Sequence, residues 1–292
     1  MRGLGLRIAG ALSVLGLGAW LGVSSVDAQP APDAQSKQFE RLQGFTTVVV
    51  NHVNDALGTE QLPVANGGGV EPGIFVTLTM DELQIYDQGV AALSGGRPTD
   101  TTIAAECGSG CPAVFYDAFQ RSWLEAAVES TAFAVEIPQR VLLAVHADLP
   151  AQTLLEAAYA ASETRPISPP LLTMLVNNTR GSLRAQSFFL VPPRGLELPQ
   201  GSAALGLTIE VSPGLYRVKA TDSRYAKEHE AKTAAQLTAV ARDVKKRYPS
   251  KEAVILVPQQ GVTVRELMKV VSIMQTGFPR IVLSGGQEIR TP

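Results

Sequence analysis

Few residues of this chain are of a type that could carry chemistry: three histidines, two cysteines and one dense run of cations. The histidines, His52, His146 and His229, are scattered. His146 lies two residues before Asp148 at the end of a predicted strand, and this is the one arrangement that could be proposed as an acid–base pair. The favoured reading instead makes Asp148 the cap of a helix beginning near Pro150, with His146 at a strand edge. His229, between Glu228 and Glu230, is expected on a solvated helix face. Cys107 and Cys111 flank Gly108-Ser109-Gly110. A redox or metal role for them would need further ligands, and none lies close in sequence. Gly108-Ser109-Gly110 has too few matching positions for a hydrolase elbow, which requires a strand-turn-helix setting. Gly67-Gly68-Gly69 lacks the Lys-Ser/Thr pair and helix of a phosphate loop, and is expected to be a flexible connection. No catalytic residue, metal ligand or cofactor is expected, and the chain is read as no enzyme.

The cations are Arg242, Lys245, Lys246, Arg247 and Lys251, close to Tyr248. One reading is a solvated helix end, where positive charge complements the helix dipole. The sharper reading is contact with an anionic cell-wall polymer or a partner surface. The chain as a whole carries a formal charge of −2, but residues 1–179 hold 8 Lys/Arg against 18 Asp/Glu, whereas residues 180–292 hold 17 against 9. Halves of opposite sign could dock together, meet an anionic polymer, or be solvated independently. Nucleic acid is not expected as a partner of an exported chain without a broader basic face.

Export is read from the first 28 residues. Arg2 and Arg7 form a positive flank, Ile8 to Val23 is uncharged and mostly apolar, and Val26-Asp27-Ala28 offers a cleavage site after Ala28. As a helix that run would reach roughly 24 Å, short of a ~30 Å hydrocarbon core. Cleavage is therefore favoured over retention of residues 8–23 as an inner-membrane anchor, and the expected location is the periplasm. In that compartment the leading role for Cys107 and Cys111 is a disulfide stapling a local turn.

At 45% hydrophobic and 18% charged, 292 residues suffice for two ordinary domains. Residues 29–58 read as a linker and N-terminal segment, within which Phe45 to Val50 could be strand or short helix. Ile74 to Met80 alternates as a strand should, and Leu83 to Tyr86 completes a hairpin. Residues 89–111 read as loop. Phe115, Phe119, Trp123, Ala126 and Ala127 fall at helical spacing, followed by a strand at Val141–Val145, a helix over Pro150–Ser162 and a strand at Leu171–Val176. The same order then returns. Leu207–Val211 and Leu215–Ala220 form a hairpin, Arg224 to Tyr248 a long helix, and Ala253–Val257 a strand. Thr263 and Glu266 box the start of a helix over Val264–Thr276, Gly277 is expected to close it in the left-handed conformation, and Ile281–Leu283 is the last strand. Ile137-Pro138 matches Tyr248-Pro249, and Leu62-Pro63 matches Leu198-Pro199. The expected fold class is α+β: two copies of a two-layer domain, each strand-strand-helix-strand-helix-strand, at residues 59–180 (with a cysteine-loop insertion) and 195–292, packed as an intrachain pseudo-dimer.

The second copy resembles the periplasmic domain of ExbD/TolR-type biopolymer-transport proteins. The residues that carry the likeness are Leu198-Pro199, the strand Val254-Ile255-Leu256-Val257, the helix Leu267 to Met274, the turn Gly277-Phe278 and the strand Ile281-Val282-Leu283. The first copy is similar but more divergent, keeping the family's Ala-Asp as Ala147-Asp148, where the second has Pro258-Gln259. The resemblance implies domains that dimerise and bind peptidoglycan or envelope partners. It also implies one membrane helix with a proton-coupling aspartate, and here the sequence departs, because Ile8 to Val23 holds no acid. The expectation is a non-catalytic cell-envelope protein binding peptidoglycan or an envelope transport-complex partner. The alternative is a membrane-anchored accessory subunit of a proton-driven motor, lacking its own aspartate.

Overall fold

In the computed structural model, residues 47–107, 110–133, 139–164, 170–192, 195–197, 206–220, 225, 227–287 and 289–290 are described. The apolar run Ile8–Val23, the cleavage position after Ala28, and the landmarks Ile137-Pro138 and Leu198-Pro199 lie outside them.

The undecided segment after Phe45 is helical, α1, over residues 47–56. The alternating run gives β1 (Ile74–Leu78), paired antiparallel with β2 (Glu82–Ile85). Thr79 holds the turn, its Oγ1 accepting the Asp81 and Glu82 amides at 3.1 and 3.0 Å. Residues 88–98, read as loop, are a second hairpin: β3 (Gln88–Ser94) and β4 (Arg97–Pro98) around Gly95 and Gly96 at φ 57° and 75°. A two-residue turn with both φ positive matches strand twist, and Gly-Gly supplies it without strain. Then follow α2 (Ala113–Phe133), β5 (Arg140–Val145), α3 (Ala151–Glu163), β6 (Leu171–Asn177) and a strand absent from the sequence reading, β7 (Leu183–Leu190).

The short β8 (Leu196–Glu197) pairs only with β14 (Ile289–Arg290). The second half runs β9 (Leu207–Ser212), β10 (Leu215–Ala220), β11 (His229–Ala231), α4 (Ala234–Arg247), β12 (Ala253–Pro258), α5 (Val264–Met274) and β13 (Arg280–Leu283). The long helix expected from Arg224 is therefore shorter. It starts after Thr233, whose Oγ1 accepts the Gln236 amide, and His229 sits on β11 opposite Val218 rather than on a helix face. Pairing with β10 overrides the helical propensity of those residues. Arg224 itself lies outside the described residues. The Thr263/Glu266 capping box is present. Gly277 is not left-handed; α5 ends through right-handed Gln275, and the Gly277 and Phe278 amides both return to the Met274 carbonyl.

The fold is α+β, with one mixed twelve-stranded sheet in the order β11-β10-β9-β12-β13-β7-β6-β5-β1-β2-β3-β4. Within each half the course is alike. β1 lies between antiparallel β2 and parallel β5, which is followed by parallel β6. β9 likewise lies between antiparallel β10 and parallel β12, followed by parallel β13. β5 explains its unbroken apolar run by being covered on both sides. Val141, Leu143 and Val145 enter the main core with α2, α3 and the helices of the second half, while Leu142 and Ala144 meet Val49, Val53 and Leu57 of and after α1.

β7, which lies between the two expected domains, supplies the join. β7 is antiparallel to β6 and parallel to β13, where Phe189 faces Val282 and Leu190 faces Leu283. Further along β7, Gly68 and Ala185 exchange amide–carbonyl hydrogen bonds at 2.8 and 3.2 Å, so the glycine run is a paired edge and not a free connection. Above the sheet the starts of α3 and α5 meet reciprocally. The Ala151 amide donates to the Val262 carbonyl and the Val264 amide to the Leu149 carbonyl, each at 2.9 Å, about the bridge Pro150–Thr263.

Candidate functional site

The C-terminal half of α4 carries its cations because its apolar face, Leu237, Val240, Ala241 and Val244, is turned to the core and to α5. Arg242, Lys245 and Lys246 then border a groove of about 490 Å³ between α4 and the end of α5. Thr238 and Ala241 complete its α4 wall, and Ile273, Thr276 and Gly277 form the other. The two threonine hydroxyls are engaged with backbone, Thr238 with the Ala234 carbonyl at 2.8 Å and Thr276 with that of Ile273 at 2.9 Å.

The five cations expected to act together do three different things. Lys245 Nζ donates to the Lys251 carbonyl at 2.6 Å and lies 5.4 Å from the centre of the Phe278 ring, so this ammonium ties α4 to the chain that follows it. Lys251 is largely buried and gives its carbonyl to that tie. Arg247 pairs with Asp243 one turn back at 2.8 Å. Arg242 and Lys246 are exposed and make no ion pair among the described residues. Four residues apart on one helix, they are neighbours about 6 Å apart along the axis. Among the described residues, the groove thus presents two cations without an ion pair beside a partly apolar floor.

The other chemical candidates are dispersed. His146 Nδ1 accepts the Asp148 amide at 3.1 Å, while the Asp148 carboxylate accepts from Arg265 Nε at 2.9 Å, across to α5. That hydrogen bond, more than the Arg265 charge itself, holds the Asp148 carboxyl below its usual range. Asp148 is therefore not the cap of α3; the cap position is Pro150, with no side-chain bond. His52 packs edge-on to Phe75, ring centres 4.7 Å apart, and His229 lies 6.1 Å from the Tyr225 ring. Cys107 and Cys111 form a disulfide, buried in the main core just before α2. Among the described residues no group of three or more His, Cys, Asp or Glu is placed to hold a metal, and no helix is long and apolar enough to cross a membrane.

One buried polar cluster was not foreseen. Tyr159 of α3 donates to Gln287 Oε1 at 2.8 Å and accepts the Gly285 amide at 2.9 Å, while Ser284 Oγ donates to the same Gln287 oxygen. Burial pushes the Tyr159 phenol up to about 12. The cluster ties the first half's helix to the loop after β13. A lone Tyr in an otherwise alanine-rich helix was its one trace in the sequence. Comparison with protein-family models gives no match for this chain, and none of the curated proteins matches it.

Proposed function

We propose that this chain is a non-catalytic, exported cell-envelope protein built from two ExbD/TolR-like periplasmic domains in tandem, folded on one another as an intrachain pseudo-dimer. In this reading the α4/α5 groove binds an anionic polymer of the envelope, peptidoglycan, through Arg242 and Lys246. The observation that carries the duplication is the shared course of the two halves, strand for strand and direction for direction, with reciprocal bonds where α3 and α5 begin. The observation that favours a polymer is the groove itself, with two cations on one helix face that make no ion pair among the described residues, and an open, partly apolar floor. Carboxylates spaced along a chain would engage such a pair by charge-assisted hydrogen bonds.

A pelleting assay with purified peptidoglycan tests this. The protein should cosediment at low ionic strength and be released by salt, and Arg242→Glu/Lys246→Glu should weaken retention roughly tenfold or more. Absence of cosedimentation, together with absence of any envelope protein retained from extracts, would remove the reading. Fractionation with N-terminal sequencing tests the location. A mature start at Gln29 is expected, and retention of residues 8–23 in the membrane would instead favour the anchored accessory subunit.

A further inference from the structure

The opposite charges of the two halves are not neutralised where the halves meet. Asp148–Arg265 is the one ion pair that crosses between them among the described residues. Exposed charge remains on each half, and there it borders apolar side chains. On α2, Leu124 and Val128 are 62% and 68% exposed, one turn apart. Beside them stand Glu125 and Glu129, exposed and without an ion pair among the described residues. Arg121, one turn earlier, is turned back to the Asp117 carbonyl at 3.4 Å. On the second half, Arg242 and Lys246 border the groove whose floor includes Ala241 and Ile273.

The geometry points to head-to-tail association of this chain with itself, the α2 ridge of one copy lying in the α4/α5 groove of the next. Both charge pairs have the same four-residue spacing, so two helices side by side set Glu125 and Glu129 against Arg242 and Lys246 in one register. Leu124 and Val128 then meet the groove floor, as an amphipathic helix meets an apolar groove. The contact joins two different surfaces, so each copy keeps one ridge and one groove free, and growth continues unless the rotation closes a ring. This goes beyond the polymer-binding reading, with which it shares the groove.

Sedimentation velocity of the full chain, without any polymer, tests it. At low ionic strength the weight-average sedimentation coefficient should rise with protein concentration, and salt should reverse the rise. Glu125→Lys/Glu129→Lys and Arg242→Glu/Lys246→Glu should each abolish the rise, and the combined fourfold reversal should restore it by re-creating complementary charges. A wild type that stays monomeric at every concentration overturns the inference. So does an association that either double reversal leaves unchanged, or that the fourfold reversal fails to restore. Glu125→Lys/Glu129→Lys should still pellet with peptidoglycan, so loss of self-association and loss of polymer binding are read separately.

Discussion

At the scale of single residues, Tyr159, Asp148 and Arg265 each tie one half to the other. Tyr159 is the clearest case, since its hydroxyl reaches from α3 to Gln287 and Gly285. Tyr159→Phe should cost about 1 kcal/mol in a urea titration near neutral pH, the net worth of a hydrogen bond whose backbone donor keeps Gln287 as a second acceptor. The pH dependence has a definite sign. Folding raises this phenol from an ordinary 10.0 to about 12, so its neutral form is the one the native state favours. That contribution is complete below pH 10 and is lost as pH rises toward 12. Wild-type stability should therefore fall more steeply than that of Tyr159→Phe over this interval, and parallel curves would contradict it. Cations were legible as a cluster, but not their separate fates. Asp243 and Arg247, four apart on a predicted helix, have the spacing of an ion pair, which the sequence reading did not draw. The capture of Lys245 by the Lys251 carbonyl depends on how the chain turns after Pro249, which no spacing encodes.

At the scale of elements, the sequence reading succeeded where periodicity and capping agreed. α5 is the best example, with its boxed start and one buried face of Val264, Leu267, Met268, Val271 and Met274. It failed where a partner distant in sequence decides the outcome. β7 mixes Arg184, Gln186 and Ser187 with Phe188 and Phe189 and shows no clean alternation, because its two faces meet different surroundings at its two ends. The three residues of β11 look helical in isolation and become strand by pairing with β10. Two signals were present and passed over: Gly95-Gly96 between alternating residues, and Thr233 three residues ahead of Gln236. Close backbone approach is another property that composition hides. A Cβ on Gly73 would lie 2.7 Å from the Arg140 carbonyl oxygen, whereas one on Gly69 would meet nothing within 4 Å. Thermal or urea denaturation should show Gly73→Ala destabilised by about 1–3 kcal/mol, as in overpacking. Gly69→Ala should stay within about 0.5 kcal/mol of wild type. Equal effects would mean that the β1–β5 spacing is not the constraint.

At the scale of the whole molecule, the main core runs through both halves without a break, from Phe115 and Leu143 to Leu256 and Met268. A shared core should unfold as one unit. In a chain starting at Gln29, Trp123 is the one tryptophan and its fluorescence reports the first half, while far-UV circular dichroism reports both. The two urea transitions should coincide, and a dichroism change persisting after the fluorescence change would show that the halves melt separately. The strand at the centre carries a further consequence. β7 runs against β6 and along with β13, so it is held by one half in antiparallel fashion and by the other in parallel. Two identical free domains meeting across a true dyad would each have to offer this strand, and there is room for one. In the proposed tandem reading the place is filled only once per molecule, which would fix the composition of the pair in the gene rather than by mass action. Each half would thereby be released from having to recognise its own likeness. One surface would be free to turn acidic and the other basic, with no loss of pairing.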